Sequence, residues 1–374
     1  MDKAAKRRTV IGIVVLLFAN SAAGGAEWCS SALANIASTF PDVPYSVITL
    51  VNNIPNLCAV VFTLVAGLLV NRKVSLRTMI IIGIGLHAAG GVMPALLGEH
   101  SIMIMFLGRF AFGIGYGLMQ GIGISMSFKL VENERLRVHA MGWAVAAQYS
   151  MNMIAQVVVG RLVQIQWNYA FFIYAWSFIP FLVVLFMCPK FAVDKSDYSA
   201  LGGSNSVLAH KGSIMHSIKH LPKNVWIFTV IVALYMLCYY PLFLVISPII
   251  IDRGFGTAAT AGDAMVFYSV ATIIGGVVFG AAEKVLKSWT LGAFLIGVAA
   301  SLLGLYFAQS YAMVCFWLVV SGITSTGIIP GCINVYNSQV NDSDAFLATG
   351  ITESGVNIGA FLTTPFIAVI EAAG

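Results

Sequence analysis

The chain has 374 residues, of which 59% are hydrophobic and only 9% are charged. Soluble domains carry roughly 25% charged residues, so this composition excludes an ordinary soluble protein. The formal net charge of +5 requires no nucleic-acid partner, because lysine and arginine beside membrane spans account for it.

Apolar runs long enough to cross a bilayer, which needs about 20 residues each, recur along the whole sequence. The pattern predicts an all-α polytopic membrane protein. The predicted spans are 9–36, 45–70, 77–97, 102–129, 139–165, 168–188, 224–250, 262–282, 289–308, 311–337 and 345–370. We expect the first span to be an uncleaved helix, because its apolar run continues past a stretch of small residues that resembles a signal-peptide cleavage site.

A long polar interval separates the first six predicted spans from the last five. It predicts an N-terminal bundle at 1–189, a cytoplasmic linker at 190–223 and a C-terminal bundle at 224–374. If the spans alternate in direction, all of the 20 lysines and arginines except Arg109, Arg161 and Arg253 are assigned to one side. The positive-inside rule therefore predicts a cytoplasmic N-terminus in the plasma membrane.

The fourth span contains Arg109 followed by Gly113, Gly115 and Gly117, in the spacing R-x-x-x-G-x-G-x-G. An arginine within a span costs at least about 2.5 kcal/mol, so we expect Arg109 to face protein or a watery cavity. The glycine spacing, continued by Gly121, favours close helix packing over substrate contact.

This segment resembles the fourth-span motif of the major facilitator superfamily, and the stretch from Gly67 to Arg77 resembles that family's loop between the second and third spans. The resemblance covers essentially the whole chain. It implies two pseudo-symmetric six-helix bundles, alternating access and a gating loop that includes Gly67, Asn71, Arg72 and Arg77. Asn71 departs from the aspartate usual in the family, and the twelfth span is missing, so we expect a truncated sequence.

Polar side chains recur at three- and four-residue steps in several spans, a pattern that predicts a protein-lined or watery helix face. Tyrosines near Pro241, where the seventh span can kink, could contribute stacking or simple aromatic packing. The candidate cavity-lining residues are Asn20, Asn52, Asn53, Asn56, Tyr116, Gln120, Gln148, Asn152, Gln156, Tyr235, Tyr239 and Asn357.

Three charged residues within the spans are candidates for substrate or proton coupling. At 1.5 Å per helical residue, Glu27 and Arg109 each lie about 12–15 Å inside the outer boundary, which predicts an ion pair. Protonation or substrate would break that pair; alternatively, it is permanent and fixes helix packing. Glu353 lies about 12 Å from the cytoplasmic boundary, in an inner gate or facing the vestibule. His87 is expected to be a hydrogen-bonded packing residue.

These features predict a secondary active transporter of a small solute, coupled to protons and functional as a monomer in the lipid bilayer. Proton-driven efflux of lipophilic cations is an alternative, disfavoured because the fifth span lacks the glycine-proline motif of antiporters in the family. A non-transporting receptor or scaffold is another. No H-E-x-x-H, G-x-S-x-G or phosphate-loop sequence is present, so we expect neither an enzyme nor a cofactor, and no metal site.

Overall fold

The computed structural model describes residues 3–69, 74–120, 126, 130–131, 133–189, 221–337, 340 and 345–373. The first half contains eight helices within these residues. They are α1 (Lys3–Ser21), α2 (Leu33–Thr39), α3 (Tyr45–Ile48), α4 (Leu50–Leu69), α5 (Leu76–Leu97), α6 (Ile102–Met119), α7 (Glu134–Ile165) and α8 (Phe178–Met187). A 3-10 helix, Trp167–Ser177, precedes α8.

The second half contains seven helices in its described residues. They are α9 (Lys223–Tyr239), α10 (Pro241–Asp252), α11 (Ala258–Leu286), α12 (Thr290–Tyr306), α13 (Tyr311–Ser325), α14 (Ile328–Asn337) and α15 (Ala345–Ala373). Of the predicted gating loop, Asn71 and Arg72 lie outside the described residues, as does most of the predicted linker.

In the described part of the chain, seven helical stretches are long and apolar enough to cross a membrane. One of them, Ala258–Tyr306, contains two of the predicted spans. Large apolar side chains such as Phe186 and Val277 are more than three-quarters exposed, as helices in contact with lipid require. The predicted all-α multi-pass fold is confirmed.

The glycines of the fourth span lie where α6 crosses α4. A Cβ atom on Gly113 would lie 2.8 Å from the Cα of Pro55, and one on Gly117 would lie 2.9 Å from the Cα of Ala59. Only glycine permits this approach of the two backbones. The packing prediction is confirmed for these two glycines, whereas Gly121 lies outside the described residues.

The prediction of one continuous helix over 9–36 is wrong, because residues 22–29 are unwound between α1 and α2. Gly25 has a φ of +107°, a backbone conformation that glycine adopts without a steric penalty. A Cβ atom there would also lie 3.0 Å from the Trp28 ring. The break places Glu27 in non-helical backbone.

The seventh span is interrupted too. Helix α9 ends at Tyr239 and Pro241 is the first residue of α10. Proline has no backbone N–H and is favoured at the first position of a helix, so it ends one helix and begins the next. The interruption lies where a kink was predicted, and the first span of each half is therefore discontinuous.

The two halves contact each other mainly through α4 with α15 and through α7 with α11. The second pair crosses closely at glycines: a Cβ atom on Gly262 would lie 2.3 Å from the carbonyl oxygen of Gln156. A Cβ atom on Gly160 would lie 2.8 Å from the carbonyl oxygen of Ala258. The halves are thus in backbone contact at the end of α7 and the start of α11.

Candidate functional site

Side chains from four elements of the first half hold the unwound segment by its backbone. Four consecutive carbonyl oxygens each accept one hydrogen bond from these side chains. The donors are His87 Nε2 to Gly24 at 2.9 Å, Tyr174 Oη to Gly25 at 2.7 Å, Arg109 Nη2 to Ala26 at 2.9 Å and Gln156 Nε2 to Glu27 at 3.0 Å. We call these four donors the carbonyl clamp.

The clamp follows from the helix break. Buried carbonyl oxygens without a hydrogen bond are strongly disfavoured, and the local backbone pairs only two of these four, through Trp28 N to Gly25 at 3.3 Å and Ser30 N to Glu27 at 3.0 Å. His87 Nε2 must donate to the Gly24 carbonyl, because a carbonyl oxygen can only accept, and Nδ1 lies within hydrogen-bond distance of the Ser177 hydroxyl at 2.9 Å. The prediction that His87 is a hydrogen-bonded packing residue is confirmed.

Arg109 is fully buried and is a member of the clamp, not the ion-pair partner of Glu27. No salt bridge joins the two side chains among the described residues, so the predicted pair is absent. Arg109 Nε instead donates to the carbonyl of Val51, which is free because Pro55, four residues later, has no N–H. The guanidinium carbon lies 4.3 Å from the centre of the Phe112 ring.

Glu27 and Glu353 are both half-buried, one in each half. Within the described residues, neither carboxylate has a salt-bridge partner or a hydrogen bond to another side chain. Tyr116 and Tyr149 lie within electrostatic reach of both carboxylates, and Tyr240 lies within reach of Glu27. The centre of the protein therefore contains two acidic groups among tyrosines, and Arg109 lies within electrostatic reach of Glu27.

The predicted cavity-lining asparagines of the second span are at most 3% exposed. Asn53 Nδ2 donates to Thr364 Oγ1 at 2.6 Å, and Asn56 Nδ2 donates to the Tyr240 hydroxyl at 3.0 Å. Both bonds cross between the halves. In this conformation these amides join the two halves, because α4 and α15 are in direct contact at this level, and they line no open cavity.

The remaining predicted cavity-lining amides form a hydrogen bond within their own helix, one long hydrogen bond between the halves, or packing contacts. Asn20 donates to Leu16 in its own helix at 2.8 Å. Gln120 and Asn357 form a cross-half bond of 3.4 Å. Gln148 packs beside Gly24, and Asn152 is half-buried, with a buried Oδ1 that lacks a partner in the described structure.

The predicted tyrosines of the seventh span belong to a hydroxyl cluster of the second half. Tyr235 stacks on Tyr239 with a centroid separation of 5.2 Å. The Tyr239 hydroxyl donates to the Tyr268 hydroxyl at 3.1 Å and lies 3.0 Å from Ser321 Oγ. Aromatic packing accounts for Tyr239, whereas Tyr235 is only half-buried.

Two predicted gating residues lie within the described structure. Gly67 is in the last turn of α4. Arg77 donates from Nη2 to the carbonyl oxygen of Leu185, in α8 of the same half, at 2.5 Å. This hydrogen bond connects α5 to α8. Both helices belong to the first half, so the bond does not connect the predicted gating loop to the second half.

Sequence reasoning missed a group of bonds that close the side of the protein opposite the N-terminus. They join α3, the end of α7 and the 3-10 helix Ser30–Ala32 of the first half to α10, the start of α11 and the end of α15 in the second half. We call them the closure contacts: Ser46 N to Glu371 Oε1 at 3.1 Å, Tyr45 Oη to Leu244 O, Ser247 Oγ to Ser31 O at 2.8 Å, Gln164 Nε2 to Thr257 Oγ1 at 2.8 Å, and Arg161 Nη1 to Asp263 Oδ1 at 2.7 Å.

No sequence signal marks most of the closure contacts, because four of the five use a backbone group or an uncharged side chain. The exception is the ion pair, where Arg161 departs from the positive-inside distribution. A basic residue on the sparsely charged side could have been assigned a specific acidic partner, and Asp263 is the acidic residue near the start of the facing span.

A cavity of about 530 Å³ lies away from these groups, on the flank of the first half between α1, α7 and the 3-10 helix. Its lining is almost entirely apolar, with Leu17, Ile154 and Trp176 among its residues. It therefore offers no recognition of a polar solute.

The sequence matches the Major Facilitator Superfamily over residues 9–261 and again over 228–371. The chain belongs to this superfamily. The repeated match places the superfamily signal in both halves, in agreement with two discontinuous spans at equivalent positions. As a superfamily member the chain is a multi-pass membrane protein of a transporter family, whose members carry small molecules.

Three solved superfamily structures show the same fold. A bacterial homologue of the human lysosomal transporter Spinster has a TM-score of 0.73 at 14% identity, covering 98% of this chain and 82% of that one. The nucleoside transporter NupG has a TM-score of 0.74 at 15% identity, covering 97% and 91%. The xylose transporter XylE from E. coli has a TM-score of 0.70 at 13% identity, covering 97% and 92%.

Identities this low establish the fold alone and transfer no substrate to this chain. A search of curated protein sequences gave no significant match. The substrate and coupling mechanism must therefore be argued from the residues of this superfamily member itself.

Proposed function

We propose that this chain is a secondary active transporter that moves a small solute across the plasma membrane by alternating access, coupled to protons. One observation carries the proposal. A polar centre, with an interrupted helix and one half-buried carboxylate in each half, lies beneath a set of bonds that close the side opposite the N-terminus.

The closure contacts determine which side is shut. They cluster where α3 begins and where α7 and α15 end, on the side opposite the N-terminus. Toward the N-terminal side, Gln120 to Asn357 at 3.4 Å is the last cross-half hydrogen bond within the described residues. With the N-terminus in the cytoplasm, as the positive-inside rule predicts, this is the inward-facing state.

Alternating access then requires the closure contacts to break as the halves rock about the centre. Most of them are single hydrogen bonds, each worth about 1 kcal/mol net. The ion pair between Arg161 and Asp263 is 55% and 41% exposed on its two sides, so water competes for it and it adds little. Closure contacts this weak can break and re-form in every transport cycle, as a gate requires.

Glu27 and Glu353 are the groups that we assign to proton coupling. Burial in a low-dielectric environment disfavours the charged carboxylate, and the nearby Arg109 offsets that cost only in part at Glu27, while no cation in the described residues acts on Glu353. Deprotonation of either carboxylate thus changes the free energy of the closed conformation. Arg109 takes part indirectly, because it fixes the backbone that carries Glu27.

Transport in proteoliposomes tests this proposal. Counterflow with radiolabelled organic acids, sugars, amines and cationic dyes is measured with and without an imposed pH gradient. We expect accumulation of at least one solute to follow the gradient. Glu27→Gln or Glu353→Gln should remove that dependence while counterflow persists, because glutamine mimics the protonated acid. Glu99→Gln changes an exposed carboxylate and serves as the control.

Each part of the proposal can be contradicted separately. If no solute accumulates in any gradient, the transport function is wrong, and a receptor or scaffold becomes the better interpretation. If both glutamine variants retain the full pH dependence, transport stands and the coupling role is wrong. Exchange of lipophilic dyes against protons would instead support the efflux alternative.

A further inference from the structure

The charged groups that a solute can reach at the centre of the described structure are both acidic. Glu27 and Glu353 are half-buried, and so are Tyr116 and Tyr149, which lie within reach of both. Aromatic rings beside carboxylates attract cations, since the face of a ring is electronegative.

The basic group of this region is closed to solute. Arg109 is 0% exposed, and its guanidinium lies against the rings of Phe112 and Tyr174, at 4.3 Å and 5.2 Å from their centres. Two of its nitrogens already donate to backbone carbonyls. Its third nitrogen, Nη1, and the neighbouring Trp28 Nε1 lack partners, but both are enclosed within this group of aromatic rings.

The buried amides around Glu27 each have an unpaired oxygen. Their hydrogen-bond partners identify the bonded atom as the amide nitrogen. Gln156 donates to a carbonyl oxygen, which can only accept, so the bonded atom is Nε2 and Oε1 is left over. Ser30 gives its hydroxyl proton to the Glu27 carbonyl at 2.5 Å. Ser30 Oγ must therefore accept from Asn52 Nδ2 at 3.1 Å, which leaves Asn52 Oδ1 unpaired.

At Asn53, too, the amide nitrogen is bonded and the amide oxygen is unpaired. Thr49 donates its hydroxyl proton to the Ser46 carbonyl at 2.6 Å, so Thr364 must be the donor in the 3.0 Å contact between the two threonines. Thr364 Oγ1 then accepts from Asn53 Nδ2, and Asn53 Oδ1 has no partner in the described structure. The unpaired amide atoms around Glu27 are thus acceptors, but Asn52, Asn53 and Gln156 are 0% exposed, as Arg109 is, and are closed to solute in this conformation.

We infer that the transported solute carries a protonated amine, which binds at the Glu27 carboxylate. An ammonium group has three donors and no acceptor, so it complements the half-buried carboxylates and tyrosine rings together. An organic anion would meet two carboxylates and no accessible basic side chain in the described centre. The inference rests on the proposed transport function and names its substrate class.

Charged thiol reagents measure the charge preference of the site without knowledge of the substrate. Tyr149→Cys is placed in a background with Cys238→Ser and Cys315→Ser, which removes the two cysteines that are not buried. Reaction rates with a trimethylammonium methanethiosulfonate and a sulfonate methanethiosulfonate are each divided by the rate with free mercaptoethanol. We expect the cationic reagent to react about tenfold faster. Ser354→Cys, half-buried beside Glu353, is a second reporter.

The matched control adds Glu27→Gln and Glu353→Gln to the same cysteine variant, and the rate ratio should then fall toward one. Equal or faster reaction of the anionic reagent at both cysteine positions would overturn the inference. A ratio that persists in the double glutamine variant would overturn the assignment to these carboxylates.

Counterflow separates failure of this inference from failure of the proposed function. Transport of an organic acid, with no transport of amines or cationic dyes, leaves the transporter proposal intact and refutes the amine. Counterflow of an amine that persists in Glu27→Gln, with a KM raised at least tenfold, supports both. If no solute is transported, the proposed function fails, and the reagent ratio still decides the charge preference of the site.

Discussion

The two halves interrupt their first spans by different means. In the first half, glycine allows a positive φ, residues 22–29 unwind, and four carbonyls accept hydrogen bonds from side chains of other helices. In the second half, Pro241 starts a new helix directly after Tyr240. There the Tyr240 hydroxyl accepts one bond from Asn56 across the interface.

The difference explains why a buried arginine occurs in one half only. Unwound backbone offers partial negative charge at its carbonyls, and a guanidinium has several donors with which to bind them. A proline break removes a donor and exposes little backbone, so uncharged hydroxyls such as those of Tyr239 and Tyr268 suffice nearby. The charge in the first half is thus a consequence of how its helix is broken.

The largest expected effect comes from removing Arg109. Arg109→Ala leaves the Ala26 and Val51 carbonyls buried and unpaired, at a cost of about 2 to 6 kcal/mol. Arg109→Lys should recover only part of this, because an ammonium cannot reach both carbonyls in a fixed fork. Unfolding in detergent micelles measures the free energy.

Arg253→Ala is the matched control from the second half. Arg253 also donates to backbone carbonyls, those of Tyr306 and Ala308 at 3.0 Å each, but it is exposed. Water can replace it, so the expected loss is below about 1 kcal/mol. Equal losses in the two variants would contradict the distinction between a buried clamp and an exposed helix end.

A smaller effect is expected at the glycine that permits the break. Gly25→Ala forces a side chain into the left-handed region and against the Trp28 ring, which should cost about 2 to 4 kcal/mol. Gly142→Ala has nothing within 4 Å of the new Cβ and should cost nothing. The thermal unfolding midpoints of the two variants in detergent are compared; an unchanged Gly25→Ala would show that the break does not depend on glycine.

The smallest effect is expected at the proline break. Pro241→Ala keeps a residue that suits the first helical position, so the free energy of unfolding should fall by only about 0.4 to 1 kcal/mol. Tyr240→Phe removes one hydrogen bond and should cost about 1 kcal/mol. Losses larger than that of Gly25→Ala in the same unfolding assay would reverse the comparison of the halves.

Depth and spacing were enough to predict that Arg109 lies near the Glu27 region, since its Nη2 binds the preceding residue, Ala26. They could not predict the partner. An arginine satisfied by carbonyls looks, in sequence, the same as one satisfied by a carboxylate. The Val51 carbonyl was traceable in principle through Pro55, whereas the carbonyls at 24–27 became acceptors only because the helix is unwound.

By itself the sequence determined the membrane class, the superfamily, the all-α fold and the proline kink, because apolar length, glycine spacing and the missing proline N–H are local properties. Only the tertiary structure decided that the first span is broken, that Arg109 binds backbone and that the halves are closed on one side. Those outcomes depend on which donors and acceptors meet across helices, and hydrogen-bond partners distant in sequence leave no periodic pattern within any one span.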